Sequence, residues 1–206
     1  MEERLGANMQ IGDKIVFDRY EWRVLDTQND IVLIITDKII EMRPYHNVYT
    51  DITWAECSLR EYLNGEFYNT FTTANQSRIV TVTNKNPGNP WYGANGGDDT
   101  EDKIFLLSLE DVVCKYFGDS SANLYNRGIN QKYWFERKDS NNYKRVAGFN
   151  DDEWWYWLRT PGRINLKATY VKRDGIIGIQ GNNILIGNLS EVEQNGGVRP
   201  VLWLKL

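Results

Sequence analysis

Reactive side chains are scarce in this chain. Its 206 residues hold two cysteines, Cys57 and Cys114, and one histidine, His46. Two cysteines make neither a disulfide framework nor a four-ligand zinc site. His46 lies in Pro44-Tyr45-His46-Asn47-Val48, and no Gly-x-Ser-x-Gly elbow offers it a nucleophile. No apolar run approaches the roughly 18 residues that a membrane span needs. The first residues, Met1-Glu2-Glu3-Arg4-Leu5-Gly6, lack the apolar stretch of a secretory signal. Lys and Arg total 24 against 28 Asp and Glu, a net charge of −4. That balance argues against a general binder of nucleic-acid backbones. Asn95-Gly96-Gly97 does not join a strand to a helix as a phosphate-cradling loop does. Neither nucleic acid, membrane insertion nor a cofactor is therefore expected.

Aromatics and asparagine are abundant instead: eight Trp, twelve Tyr, seven Phe and 21 Asn. Aromatics combine large burial with polar handles, and Asn tolerates loops and left-handed turns. The composition predicts a compact domain with long ordered loops and suits a recognition surface.

The first 36 residues read as an antiparallel meander, with strands at Lys14–Phe17, Glu21–Leu25 and Ile31–Thr36. Thr53 and Glu56 have the spacing of a capping box, followed by Leu59, Tyr62 and Leu63 at helical spacing and Gly65 as a stop. A second short helix is expected over Ala74–Val80. Residues 84–103 are dominated by turn chemistry and predict a long loop. Ile104–Leu107 reads as a buried strand. Ser108 and Asp111 open a further helix, with Val112, Val113, Tyr116 and Phe117 on its apolar side and Gly118 at its end. Residues 119–153 read as mostly irregular.

From Trp154 the pattern is again strand-like. Strands are expected through Trp154–Leu158, at Thr169–Val171 and Ile176–Ile179 about the turn Arg173-Asp174-Gly175, at Ile184–Ile186 after a turn at Gln180–Asn183, and at Val198–Leu204. Strand alternation sends one pair of the aromatic run, Trp155 and Trp157, into the core and the other, Trp154 and Tyr156, outward. No repeat or linker divides the chain. A single α+β domain with mainly antiparallel sheet and two to three helices follows, with residues 1–153 as scaffold and 154–206 as C-terminal strands. Its two ends should meet in one sheet. Arg159 and Arg199, each beside a proline in apolar surroundings, should be buried framework residues satisfied by a carboxylate or by carbonyls.

Catalytic chemistry finds little support. Cys57 falls in the first turn of its predicted helix, where a thiol pKa can be lowered, but no base lies near it in sequence. Asp98, Asp99, Glu101 and Asp102 crowd one loop and are oxygen ligands of the type calcium takes. Their spacing does not match a calcium-binding hand, and a solvated acidic turn is the expectation.

Several segments taken together resemble an uncharacterised bacterial domain family. They are Ile11-Gly12-Asp13, Tyr20–Leu25, Leu59–Asn64, Asn89–Gly93, Asp102–Ser108, the motif Tyr156-Trp157-Leu158-Arg159-Thr160-Pro161-Gly162, Ala168–Val171, Asp174-Gly175 and the closing Gly196–Leu204 with its Gly197-Val198-Arg199-Pro200 motif. The closing motif is also similar to the last strand of C-type-lectin-like domains, including relatives of formylglycine-generating enzymes. That enzyme branch relies on a cysteine pair late in the domain, and no cysteine follows Cys114 here. The resemblance implies a C-type-lectin-like, formylglycine-generating-enzyme-like fold across residues 1–206. The same fold serves the variable proteins of diversity-generating retroelements, in which adenines of a C-terminal region are mutated and Asn codons are favoured targets. Residues 163–195 carry Asn165, Asn182, Asn183, Asn188 and Asn195, as such a variable region would.

The resulting expectation is a non-enzymatic ligand-binding domain, a retroelement variable protein recognising a protein or cell-surface ligand. Its location would be cytoplasmic or phage-associated by default, with surface display left open. The expected ligand-binding face comprises Arg163, Asn165, Lys172, Arg173, Gln180, Asn182 and Asn183, with Trp154 and Tyr156 at its edge. The alternative is a carbohydrate-binding module that uses Trp91, Tyr92, Trp154 or Tyr156 as stacking platforms.

Overall fold

The computed structural model describes residues 9–118, 124–128, 139–185 and 195–206. Ile186 and Asn188 of the expected variable segment, and the leading residues of the chain, lie outside these. The expected meander opens the fold: β1 (Lys14–Phe17), β2 (Tyr20–Gln28) and β3 (Ile31–Thr36) pair in sequence. Its turns, Asp18-Arg19 and Asn29-Asp30, have two residues each, and Asp18 and Asn29 take φ of 55° and 51°. Tight hairpins require this left-handed conformation, which Asp and Asn tolerate best after Gly. β4 (Glu41–Arg43) follows.

The helices depart from expectation. The Thr53 side chain caps nothing; a 3-10 turn covers Trp54–Glu56. The helix proper, α1 (Ser58–Tyr62), is capped by Cys57, whose sulfur accepts from the Arg60 N–H at 3.4 Å. Gly65 does not stop it. The chain winds on through Leu63–Phe67 and Tyr68–Thr70, because Leu63 and Phe67 are buried in the core and that burial outweighs the roughly 1 kcal/mol a helical glycine costs. α2 (Thr73–Gln76) is shorter than expected, since Ile79–Val80 leave it as β5. β6 (Val82–Asn84) and β7 (Thr100–Asp102) pair and tie off the long loop 85–99. Ile104–Leu107 is buried as expected, but only Phe105 makes a strand-like bridge, to Val201. The box at Ser108 does form. Asp111 N–H donates to Ser108 Oγ at 3.1 Å, Ser108 N–H donates to Asp111 Oδ2 at 2.8 Å, and Asp111–Lys115 winds as a π turn.

Within 139–153, where irregular chain is expected, α3 (Asn142–Arg145) leads into a hairpin of β8 (Ala147–Phe149) and β9 (Asp152–Trp154). β10 (Tyr156–Pro161), β11 (Lys167–Val171), β12 (Ile177–Asn183), β13 (Gly196–Val198) and β14 (Val201–Lys205) complete the fold. The expected turn at Gln180–Asn183 is instead part of β12. Gly181, at φ 78°, absorbs a register shift between the pairs Tyr170↔Gly178 and Ala168↔Asn182, so the chain bulges without turning away.

Two five-stranded sheets result, in the orders β1-β2-β3-β14-β5 and β12-β11-β10-β13-β4. All their pairings are antiparallel except β10 with β13. The two ends of the chain thus share the first sheet, as expected. The expected single strand Val198–Leu204 is two strands, split at Arg199-Pro200, with one half in each sheet. β3 and β4 make the same change of sheet alongside, and Arg199 clamps that junction through Nε to the Thr36 carbonyl at 2.9 Å.

Candidate functional site

The hairpin β11–β12 lies at the edge of the second sheet and carries most of the side chains expected to bind. Arg163, Arg173 and Gln180 are exposed, whereas Asn165, Lys172, Asn182 and Asn183 are half-buried. Two of the asparagines are engaged in structure. Asn165 Nδ2 donates to the Asn95 carbonyl at 2.8 Å, and Asn183 Oδ1 accepts from the Leu185 N–H at 2.9 Å. The face is also divided. Lys172 and Arg173 occupy the turn, where the Arg173 guanidinium lies 4.5 Å from the Trp154 ring centroid. Arg163, Asn165, Gln180, Asn182 and Asn183 gather toward the other end, with Arg163 N–H donating to the Gln180 carbonyl at 2.8 Å.

Tyr156 does not belong to this face. Its side chain is 1% exposed, its hydroxyl donates to the Arg145 carbonyl at 2.8 Å, and it accepts from Arg199 Nη1 at 3.2 Å. Alternation fails as a guide here because all six residues of β10 are buried; packed material covers both sides of the strand. Trp155 and Trp157 are buried as expected and extend a row of rings. Tyr170, Trp155, Trp157, Tyr45 and Trp54 follow one another at centroid distances of 5.3, 4.8, 5.7 and 6.2 Å. Trp91 is buried too, and its indole N–H donates to the Leu124 carbonyl at 2.7 Å. Of the four candidate sugar platforms, Trp91 and Tyr156 face inward, Trp154 lies under Arg173, and Tyr92 is half-buried with Arg127 4.8 Å from its centroid. Arg127, inside a stretch read only as polar and irregular, had no sequence signal to mark it.

The residues that carry the resemblance to a family hold the framework beneath this face. Trp157 Nε1 donates to the Arg43 carbonyl at 2.9 Å. Arg159 Nη1 donates to Asp111 Oδ2 and to the Leu106 carbonyl, each at 2.8 Å. Asn89 Nδ2 donates to the carbonyls of Pro161 and Ile179 at 3.0 and 2.9 Å, so the long loop is pinned against the ends of β10 and β12. A Cβ on Gly196 would come within 2.3 Å of Trp157 Nε1, and so no larger residue leaves this indole in place. Among the described residues Arg199 has only neutral hydrogen-bond partners: the carbonyls of Thr36 and Asp37 and the Tyr156 hydroxyl.

Groups with chemical potential are directed elsewhere. Burial pushes the Cys57 thiol up to about 12, despite the helix start it caps, and the half-buried Cys114 thiol up to about 11. This reverses the lowering considered for Cys57, because desolvation of a thiolate outweighs the attraction of one short helix. His46 Nδ1 is taken by the Ser58 N–H at 3.1 Å. The four loop carboxylates do not converge. Asp102 is fully buried and accepts from Arg60, Trp54, Asn84 and Thr100, Asp99 pairs with Lys85, and Glu101 accepts from Thr83. Among the described residues no group of three or more His, Cys, Asp or Glu side chains is placed to hold a metal ion. Nor is any helix long and apolar enough to cross a membrane.

Concavities flank the framework. One, of about 350 Å³, lies between Arg43 and α1. There Arg43 stacks 3.5 Å from the Tyr62 centroid and the Tyr62 hydroxyl donates to Glu41. Another, of about 560 Å³, is floored by Arg159 and Asp111 and walled by Phe105, Tyr116 and Trp203. Its cations Lys85, Lys115 and Arg159 all have carboxylate partners.

Comparison with known proteins found no match among curated proteins and none among solved structures. A family model does match, over residues 29–206, which takes in every framework contact of the β10 motif and the closing strands. The chain therefore belongs to the family described as a domain of unknown function, DUF6273.

Proposed function

We propose that this chain is a non-enzymatic ligand-binding domain with a C-type-lectin-like fold, and that it is the diversified target protein of a retroelement, with a protein or cell-surface group as ligand. The observation that carries the reading is a division of labour along the C-terminal third. Tyr156–Gly162 and Gly196–Pro200 are buried without exception, while the segment between them places Arg163, Arg173 and Gln180 in solvent. A rigid frame under a changeable polar hairpin is what a diversified receptor needs. The junction of first and last strands in one sheet suits the lectin-like fold. Two protonated thiols and an engaged histidine suit a binding role. The inward-facing Trp91 and Tyr156 weigh against a sugar module.

The test is a library randomised at Arg163, Lys172, Arg173 and Gln180. Exposed positions usually change stability by less than about 0.5 kcal/mol, so most members should melt close to the parent, and selection on different proteins should enrich different sequences. General unfolding of the library overturns the reading. For the retroelement, the neighbouring DNA should hold a reverse-transcriptase gene and a near-copy of the sequence encoding the hairpin.

A further inference from the structure

Several cations on this domain pair with carboxylates. Lys14 and Arg23 share Asp37, Arg43 meets Glu41, Arg60 meets Asp102, Lys85 meets Asp99 and Lys115 meets Asp111. Arg127 and Arg163 are among those that do not. Both are exposed, and neither guanidinium has a carboxylate or carbonyl partner among the described residues. Both lie by one ring, with Arg127 4.8 Å and Arg163 6.0 Å from the Tyr92 centroid. Two charges so placed are at most about 11 Å apart.

Three separate segments are braced to bring them there. Asn89 pins the loop that carries Tyr92, and the Trp91 indole N–H ties that loop to Leu124, at the start of the segment bearing Arg127. Arg163 is held through its backbone N–H to Gln180. Unpaired like charges gathered on a chain of net charge −4 repel one another, and an anion that lies between them removes that cost.

We propose that Tyr92, Arg127 and Arg163 form a subsite for an acidic peptide segment of the ligand, with one side-chain carboxylate on each guanidinium. The proposal rests on the ligand-binding reading above and names the chemistry of the ligand. Arginine clusters take acidic motifs by charge-assisted, often bidentate hydrogen bonds. Alternate side chains of an extended peptide are roughly 7 Å apart, within the span available to the two guanidinium groups. The exposed Gln180 amide beside Arg163 can serve the peptide backbone between them. A sugar ring would need an open aromatic face, and Arg127 lies over that of Tyr92.

The experiment is fluorescence anisotropy of the intact chain with a fluorescein-labelled hexaglutamate peptide. Hexaglutamine is the neutral control and sialyllactose the acidic-sugar competitor. Hexaglutamate should bind, more weakly as salt rises, and hexaglutamine should not. Arg127→Glu with Arg163→Glu should weaken binding by at least about tenfold without lowering the melting temperature. Lys38→Glu with Lys205→Glu, exposed charges outside the hairpin and outside the binding face, should leave binding within about twofold. Absence of hexaglutamate binding, unchanged binding by the Arg127/Arg163 variant, or competition by sialyllactose as strong as by unlabelled peptide overturns the proposal. A library that still yields binders after such a result leaves the wider reading standing; a library that unfolds removes both.

Discussion

Arg159 and Asp111, 48 residues apart in sequence, form a buried ion pair, Nη1 to Oδ2 at 2.8 Å, with side-chain exposures of 8% and 7%. Burial would raise the Asp111 carboxyl, but Arg159 and Ser108 hold it below the usual carboxylate range. Removing Asp111 strands the Arg159 charge, and removing Arg159 leaves buried Asp111 only the exposed Lys115. Arg159→Ala or Asp111→Ala should each cost about 3–5 kcal/mol in urea denaturation. The double variant should cost less than the sum of the two, and strict additivity would show that the pair is not coupled.

Arg199 presents a different case, because it has no carboxylate partner among the described residues. Arg199→Ala leaves the Thr36 and Asp37 carbonyls without this donor and opens a void at the junction of the sheets. The loss should be about 2–4 kcal/mol. Tyr156→Phe, which removes the hydroxyl shared with Arg145 and Arg199, should cost about 1–2 kcal/mol. A Tyr156→Phe variant as stable as the parent would contradict this role for the hydroxyl.

Acid should weaken the domain in a defined window. Burial raises the Asp37 carboxyl, but hydrogen bonds from Lys14 and Arg23 prevail and bring it from 3.8 to about 2. The folded value lies below the unfolded one, so the contribution is complete above about pH 4 and is lost as pH falls toward 2. Lys14 and Arg23 are half exposed, and solvent screening limits the contribution to about 1 kcal/mol. Asp37→Asn should remove that amount at pH 7 and make stability less steep between pH 4 and 2.

Thiol labelling should divide the cysteines. Cys57 is buried and pushed up to about 12, and Cys114 is half-buried and pushed up to about 11. At pH 8 a thiol reagent should label Cys114 slowly, and Cys57 only when denaturant opens the domain. Rapid labelling of Cys57 in the folded protein would reopen the case for it as a nucleophile.

Local chemistry was enough, from sequence alone, to determine the meander, the box at Ser108, the turn Arg173-Asp174-Gly175 and the burial of Arg159 and Arg199. Each depends on neighbours along the chain or on one strong preference: two-residue turns on Asp and Asn, and a guanidinium in apolar surroundings on finding acceptors. Tertiary structure decided the rest. Tyr156 faces inward because material packs on both sides of β10, a condition a period of two does not encode. The closing strand divides at Arg199-Pro200 because each half finds partners in a different sheet. The capping box expected at Thr53 gave way to a simple cap at Cys57 because the burial of Leu59, Leu63 and Phe67 sets where that helix starts and how far it runs. The meeting of Tyr92, Arg127 and Arg163 was decided last of all, since no spacing along a chain reveals which loops a core will bring together.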